Sequence, residues 1–171
     1  MTYGSILVLA LSLSSQVSDK PVVKYDKFDD RTTIYINLGK VPGEEAESRI
    51  TLLSAHDGKK PEKVDHRSDL VFMIYRSGED FKYKDDSIHE VRMVCGDERI
   101  RTWLPYYESK AYGKICVENF AVHLNLMRAK DLLKTNKDWE VKIDLDDPFV
   151  LNAKYRAKML TLIRFLEEGG G

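Results

Sequence analysis

The residues of this chain best suited to chemistry are its paired carboxylates, its four histidines, its two cysteines and one glutamate, Glu118, set among apolar neighbours. Glu118 shares strand parity with Phe120 and Val122, so an extended segment would turn it inward. A buried carboxylate needs a cationic or hydrogen-bonding partner. Arg99 and Arg101, on the strand expected before it, are the candidates, and such an ion pair would fix strand register. The acid pairs Asp29-Asp30, Glu79-Asp80 and Asp85-Asp86 lie in polar stretches. Adjacent acids in loops are usually solvated and adjacent residues of a strand point to opposite faces, so the facing carboxylates that glycoside hydrolysis requires are not expected of these pairs.

His56-Asp57 and Asp65-His66 flank one loop and offer two imidazoles and two carboxylates to a divalent metal. The intervening Gly, Lys and Pro residues fit a solvated loop better. Asp144, Asp146 and Asp147 lack the glycine and the distal glutamate of an EF-hand loop. The chain has no G-x-S-x-G and no G-x-x-x-x-G-K, and neither cysteine has a histidine beside it in sequence. No catalytic residue, metal or cofactor is therefore expected. A ligand or partner surface is expected at Glu79, Asp80, Phe81, Tyr83, Tyr106 and Tyr107, where acids and aromatics fall in loops and at strand ends.

The elements that position these residues are mostly strands. Leu70 to Tyr75 is apolar at both parities, the pattern of a central strand covered on both faces. Thr32 to Leu38 alternates, with Ile34, Ile36 and Leu38 on one face. Val22 to Tyr25 and Arg49 to Ala55 are further strands. The strands near 88–95 and 98–104 fold about Gly96-Asp97, and Ile115 to Leu126 follows. Those three are expected to form a meander, and Pro105 to Gly113 to be a loop with three tyrosines. Trp139 to Leu145 and Phe149 to Leu151 complete the strands. A short helix is expected over 126–134. A longer one over 153–168 is capped by Asn152, with Met159, Leu160, Ile163 and Leu166 as its apolar stripe, widened by Leu162 and Phe165. The fold class is mainly β: an antiparallel β-sandwich or curved sheet with a short helix near 126–134 and a C-terminal helix near 153–168.

Composition sets the remaining bounds. The 171 residues suffice for one domain with a real core. A net charge of -1 supplies no field for a polyanion, so nucleic acid is not an expected partner. No apolar run reaches the ~18 residues of a spanning helix. Ile6 to Leu13 has the length of a signal-peptide core, and Ser12 and Ser14 suit a cut after Ser14, although Met1 to Gly4 lacks the usual basic residue; the alternatives for this run are a buried strand and an N-terminal helix. The expected organisation is a signal peptide over 1–15, one globular domain over 16–168 and a tail over 169–171. In the expected meander Cys95 and Cys116 lie roughly 20 Å apart, beyond disulfide reach, so both are expected as buried free thiols.

The segments YDKFDDRTTIYINLGK, SDLVFMIYRSGEDFKYKDD, GDERIRTW and KICVENFAVHLNL, followed by a terminal helix, resemble a group of uncharacterised bacterial exported proteins. The resemblance is carried by Asp26, Phe28, Thr32 and Thr33; by Ser77, Phe81 and Tyr83; by Gly96, Asp97, Glu98, Arg99 and Ile100; and by Val117 and Glu118. It implies export, to the periplasm or beyond, and brings no assigned activity. The expected function is a non-enzymatic binding or envelope-associated module whose partner is another envelope or secreted protein. The alternatives are an inhibitor of a secreted hydrolase that presents the loop Ser77 to Asp86, and a hydrolase with a site assembled across strands.

Overall fold

The structure is a computed structural model that describes residues 19–44, 47–59, 69–83, 89–103 and 106–169; of Asp69, Thr102, Trp103 and Tyr106 only the backbone is described. The signal-like run Ile6 to Leu13 and the residues Asp65, His66, Asp85 and Asp86 lie outside this set. The chain is mainly β, with two antiparallel sheets that do not close into a barrel. Its strands are β1 (Val22–Asp26), β2 (Arg31–Gly39), β3 (Glu47–Asp57), β4 (Asp69–Gly78), β5 (Glu90–Cys95), β6 (Glu98–Trp103), β7 (Tyr106–Tyr112), β8 (Ile115–Asn125), β9 (Trp139–Ile143) and β10 (Phe149–Leu151). Helix α1 (Leu126–Lys134) follows β8 directly, and α2 (Ala153–Glu167) follows β10.

The larger sheet has the order β1-β2-β3-β4-β8-β7, and the smaller β10-β9-β5-β6. Strand β4 is central, as its double-faced apolar sequence predicts. Its Leu70, Phe72 and Ile74 enter the main core with Ile34, Ile36, Ile50, Phe120 and Val122. Its Val71 and Met73 join Tyr35, Leu53 and Ala121 in a second buried cluster on the opposite face. Each large side chain buried this completely contributes about 1.5–3 kcal/mol. The smaller sheet adds Val91, Met93, Trp139, Val141 and Ile143 to the main core, and the helices add Leu132, Met159, Leu162, Ile163 and Leu166. Leu160 and Phe165 pack at its margin. Both helices start at asparagines. Asn125 accepts from the Arg128 amide and Asn152 from the Lys154 amide, caps worth about 1 kcal/mol each.

Two sequence-based expectations are corrected. The expected meander does not form. Strands β5 and β6 pair in the smaller sheet, whereas β8 lies between β4 and β7 in the larger. Periodicity reports which face is apolar and is silent on which strand lies alongside. The stretch Pro105 to Gly113 is also more than a loop, because Tyr106–Tyr112 forms edge strand β7 against β8. An edge strand packs less of its surface, so its polar Glu108, Ser109 and Lys110 hid the strand.

Cys95 and Cys116 are both free. Cys95, in the smaller sheet, is buried against the Leu132 carbonyl and Thr135. Cys116, in the larger sheet, is half-buried, not fully buried as expected, and donates to the Glu79 carbonyl.

Candidate functional site

One end of the sandwich carries a polar row laid across the larger sheet. Strand register places Ser48 of β3 beside Arg76 of β4, Arg76 beside Glu118 of β8, and Glu118 beside Ser109 of β7. The next row inward is apolar: Ile50, Ile74, Phe120 and Tyr107. A core thus ends on one line of charged and hydroxyl side chains, and the chain must satisfy them there.

Glu118 is 0% exposed. Its Oε2 accepts from Arg76 Nη1 at 2.7 Å and from the Lys82 amide at 3.0 Å. Its Oε1 accepts from the Tyr83 amide at 2.8 Å and from the Tyr107 hydroxyl at 3.0 Å. Each oxygen therefore has two donors within reach, which makes the burial of this charge tolerable. The inward direction of Glu118 was legible from parity, but its cation is Arg76, not Arg99 or Arg101. Those two sit on β6 in the other sheet. Arg101 pairs with Glu90, and the Arg99 carbonyl accepts from Arg128. The sequence did hold a sign of the true partner. Arg76 has the parity of Leu70, Phe72 and Ile74, and so occupies a core-facing position at the end of an apolar strand.

The crossover from β4 toward the smaller sheet is fastened along its length. The Glu79 carbonyl accepts from Cys116 and the Asp80 carbonyl from Arg76 Nη1, while the Tyr83 carbonyl and Glu118 Oε1 compete for the single Tyr107 hydroxyl proton. Glu79 and Asp80 point to solvent, and Phe81 is 43% exposed. Tyr83 turns inward instead, against Phe120, His89 and Tyr107. The six residues expected to form one contact surface are therefore divided. Glu79, Asp80 and Phe81 are outside, Tyr83 and Tyr107 are part of the support beneath them, and Tyr106 stands in β7 opposite Ala121.

A cleft of about 430 Å³ opens beside this crossover. Val41, Ile74, Phe120, Ile143 and Phe149 supply its apolar surface; Glu44, Ser48, Arg76, Lys82, Asp146 and Asp147 supply its polar one. One wall is the connection from β2 to β3. A bulge between Asn37 and Gly39 bends β2 there, with Gly39 at φ +133°, a left-handed conformation that suits glycine. A Cβ at this position would meet the Tyr155 ring at 3.6 Å, an ordinary contact, so the backbone angle and not space selects glycine, and the Tyr155 hydroxyl donates to the Lys40 carbonyl. Helix α2 thereby holds the wall that carries Val41 and Glu44. The other wall is the turn from β9 to β10, closed by the Asp146 amide donating to the Ile143 carbonyl.

Lys82 bridges the walls, reaching Glu44 at 2.5 Å and Asp146 at 2.8 Å. Burial opposes its charge, but the hydrogen bonds to Asp146 and Glu44 outweigh that and raise its pKa. Tyr83 donates to Asp146 as well. Burial first, and then that bond, push the Tyr83 phenol well above its ordinary value, so it remains a donor. Sequence reading missed Glu44, Ser48, Arg76, Lys82 and Asp146 as one group because they come from four separate segments.

A histidine and an aspartate also meet here. His89 Nδ1 lies 2.7 Å from Asp144, whose other oxygen accepts from the Glu90 amide. Such a pair can activate a nucleophile, but His89 is 3% exposed and walled by Tyr83, Tyr107 and Phe120. It serves as a packed polar strut. His56 bonds to Ser54, and the other half of its proposed metal pair is outside the described residues. Among the described residues no cluster of His, Cys, Asp or Glu could hold a metal, and no helix is long and apolar enough to cross a membrane.

Fold and site together define a sandwich-like antiparallel β protein with a fastened crossover loop and a charged cleft at one end. The chain matches no protein-family model, no curated protein and no solved structure. Its functional reading therefore rests on this geometry.

Proposed function

We propose that this protein is a non-enzymatic binding module, exported or envelope-associated, that meets another envelope or secreted protein through Glu79, Asp80 and Phe81. The observation that carries this reading is the exposed Phe81 on a backbone fastened on both sides, by Arg76 and Cys116 before it and by Glu118 after it. A loop already held in place loses little conformational freedom on binding, so more of the contact energy becomes affinity. An aromatic side chain on such a loop suits an apolar pocket, and the two acids beside it suit a basic rim on the partner. Export is supported by the signal-like Ile6 to Leu13.

The test is capture of partners from the envelope fraction of the source organism with tagged full-length chain and with its Phe81→Ala variant. A partner held by the native chain is expected to weaken by at least about 2 kcal/mol, roughly thirtyfold, in the variant. An identical set of captured proteins from both chains overturns the reading. The same fastening also favours a second reading, an inhibitor of a secreted hydrolase. That reading requires hydrolase activity to fall as the domain is added and to recover with Phe81→Ala.

A further inference from the structure

The cleft beside the loop has a chemistry of its own. Three carboxylates line it, Glu44, Asp146 and Asp147, against two cations, Arg76 and Lys82. Lys82 is already shared between Glu44 and Asp146, and Arg76 is held by Glu118 and lies 3.6 Å from Glu44. Asp147 is exposed at the mouth and has no ion-pair partner among the described residues. The charge left over at the rim is negative. Deeper in, one hydroxyl is unused. Ser48 is 1% exposed, faces the cleft, and its Oγ has no hydrogen-bond partner among the described residues. Arg76, its neighbour in register, turns its buried Nε toward the Glu44 carboxylate at 3.6 Å, beyond hydrogen-bond distance. A buried polar atom without a partner calls for an explanation, and at Ser48 the open cleft leaves room for a group that fills it. Between the rim and this hydroxyl lie the apolar surfaces of Val41, Ile74, Phe120, Ile143 and Phe149.

We propose that the cleft binds a small organic monocation: a protonated amine at the Asp147 rim, an apolar frame across the middle, and a neutral oxygen acceptor at Ser48. An anion is disfavoured because Arg76 is already neutralised by Glu118. A metal ion is disfavoured because the carboxylates are spread around the mouth and form no ligand cluster among the described residues. The volume of about 430 Å³ is within the range of small-molecule sites. The site does not use Glu79 or Phe81, so it stands or falls separately from the loop.

The test uses three small probes on the full chain, followed by ligand-observed NMR and calorimetry: tyramine, phenethylamine without the hydroxyl, and 4-hydroxyphenylacetate with the charge reversed. Tyramine is expected to bind saturably and to weaken as salt is added. Phenethylamine is expected to bind about fivefold to tenfold more weakly, as the loss of one hydrogen bond to a buried site predicts, and the anion not measurably. Ser48→Ala is expected to bring tyramine down to the level of phenethylamine, and Asp147→Asn to weaken both amines. Asp147 is exposed and the Ser48 hydroxyl makes no bond, so both variants keep the fold, which a dispersed amide spectrum verifies. The proposal is overturned if tyramine shows no saturable binding, if the anion binds as well as the amine, or if neither substitution changes tyramine binding.

Discussion

Replacing Glu118 with glutamine tests the central claim about this end of the fold. Glutamine keeps the shape of the side chain and offers one oxygen where glutamate offers two. Whichever way the amide turns, an NH2 group then faces donors. With the NH2 at the Oε2 position, Arg76 Nη1 and the Lys82 amide lose their acceptor; at the Oε1 position, the Tyr83 amide does, while the Tyr107 hydroxyl can rotate to accept. A buried donor left unpaired costs about 1–3 kcal/mol, and breaking a buried ion pair from one side about 3–5 kcal/mol. Arg76 keeps the Asp80 carbonyl and is partly open to water, which reduces its share. The expected loss is therefore about 3 kcal/mol. For a chain of this size that is roughly 6–12 °C in Tm, read by calorimetry. Hydrogen exchange gives the local readout, because the Lys82 and Tyr83 amides should lose protection before the β4 and β8 amides do. A fall in Tm under about 2 °C with those two amides still protected would refute the reasoning. A double variant with leucine at both 76 and 118 should lose less than the two single changes combined, since the orphaned charge is gone.

Two further outcomes follow from the same geometry. Iodoacetamide should modify Cys116 in the folded protein while Cys95 reacts only on unfolding, as peptide mass would show; equal labelling of both would contradict the packing of Cys95 against α1. His56 has its pKa held below the usual histidine range by burial and then by Arg31, against the opposing pull of Asp57. The unfolded chain therefore takes up that proton first. The stabilisation is complete above about pH 6.5 and declines as pH falls through that value, so the urea midpoint should drop between about pH 7.5 and pH 5.5, and less so in His56→Gln.

How much of this was legible in the sequence depended on which physical signal each part rested on. Strand β4 was readable because two apolar parities leave no solvent face, and α2 because Asn152 and the stripe through Met159 and Leu166 agree. The inward turn of Glu118 was readable for the same reason of parity. Its partner was not, since that depends on β8 returning beside β4, a choice made by the packing of two sheets. Edge strand β7 was missed because so little of it is buried. The cleft was the least visible. Glu44, Lys82 and Asp146 each look like solvated loop charges, and only the bulge at Gly39 and the turn after β9 bring them face to face.

The pairing of Arg76 with Glu118 also bears on how the chain folds. The two residues are 42 positions apart, and β5, β6 and β7 lie between them in sequence. The β4–β8 pair of the larger sheet can form only after that long loop closes, at an entropic cost repaid late by the contacts it permits. The amides of Lys82 and Tyr83 have no acceptor until β8 arrives. Until then the crossover is free to move and β4 has an open edge, so the chain is most exposed to mispairing with another copy of itself just before β8 docks.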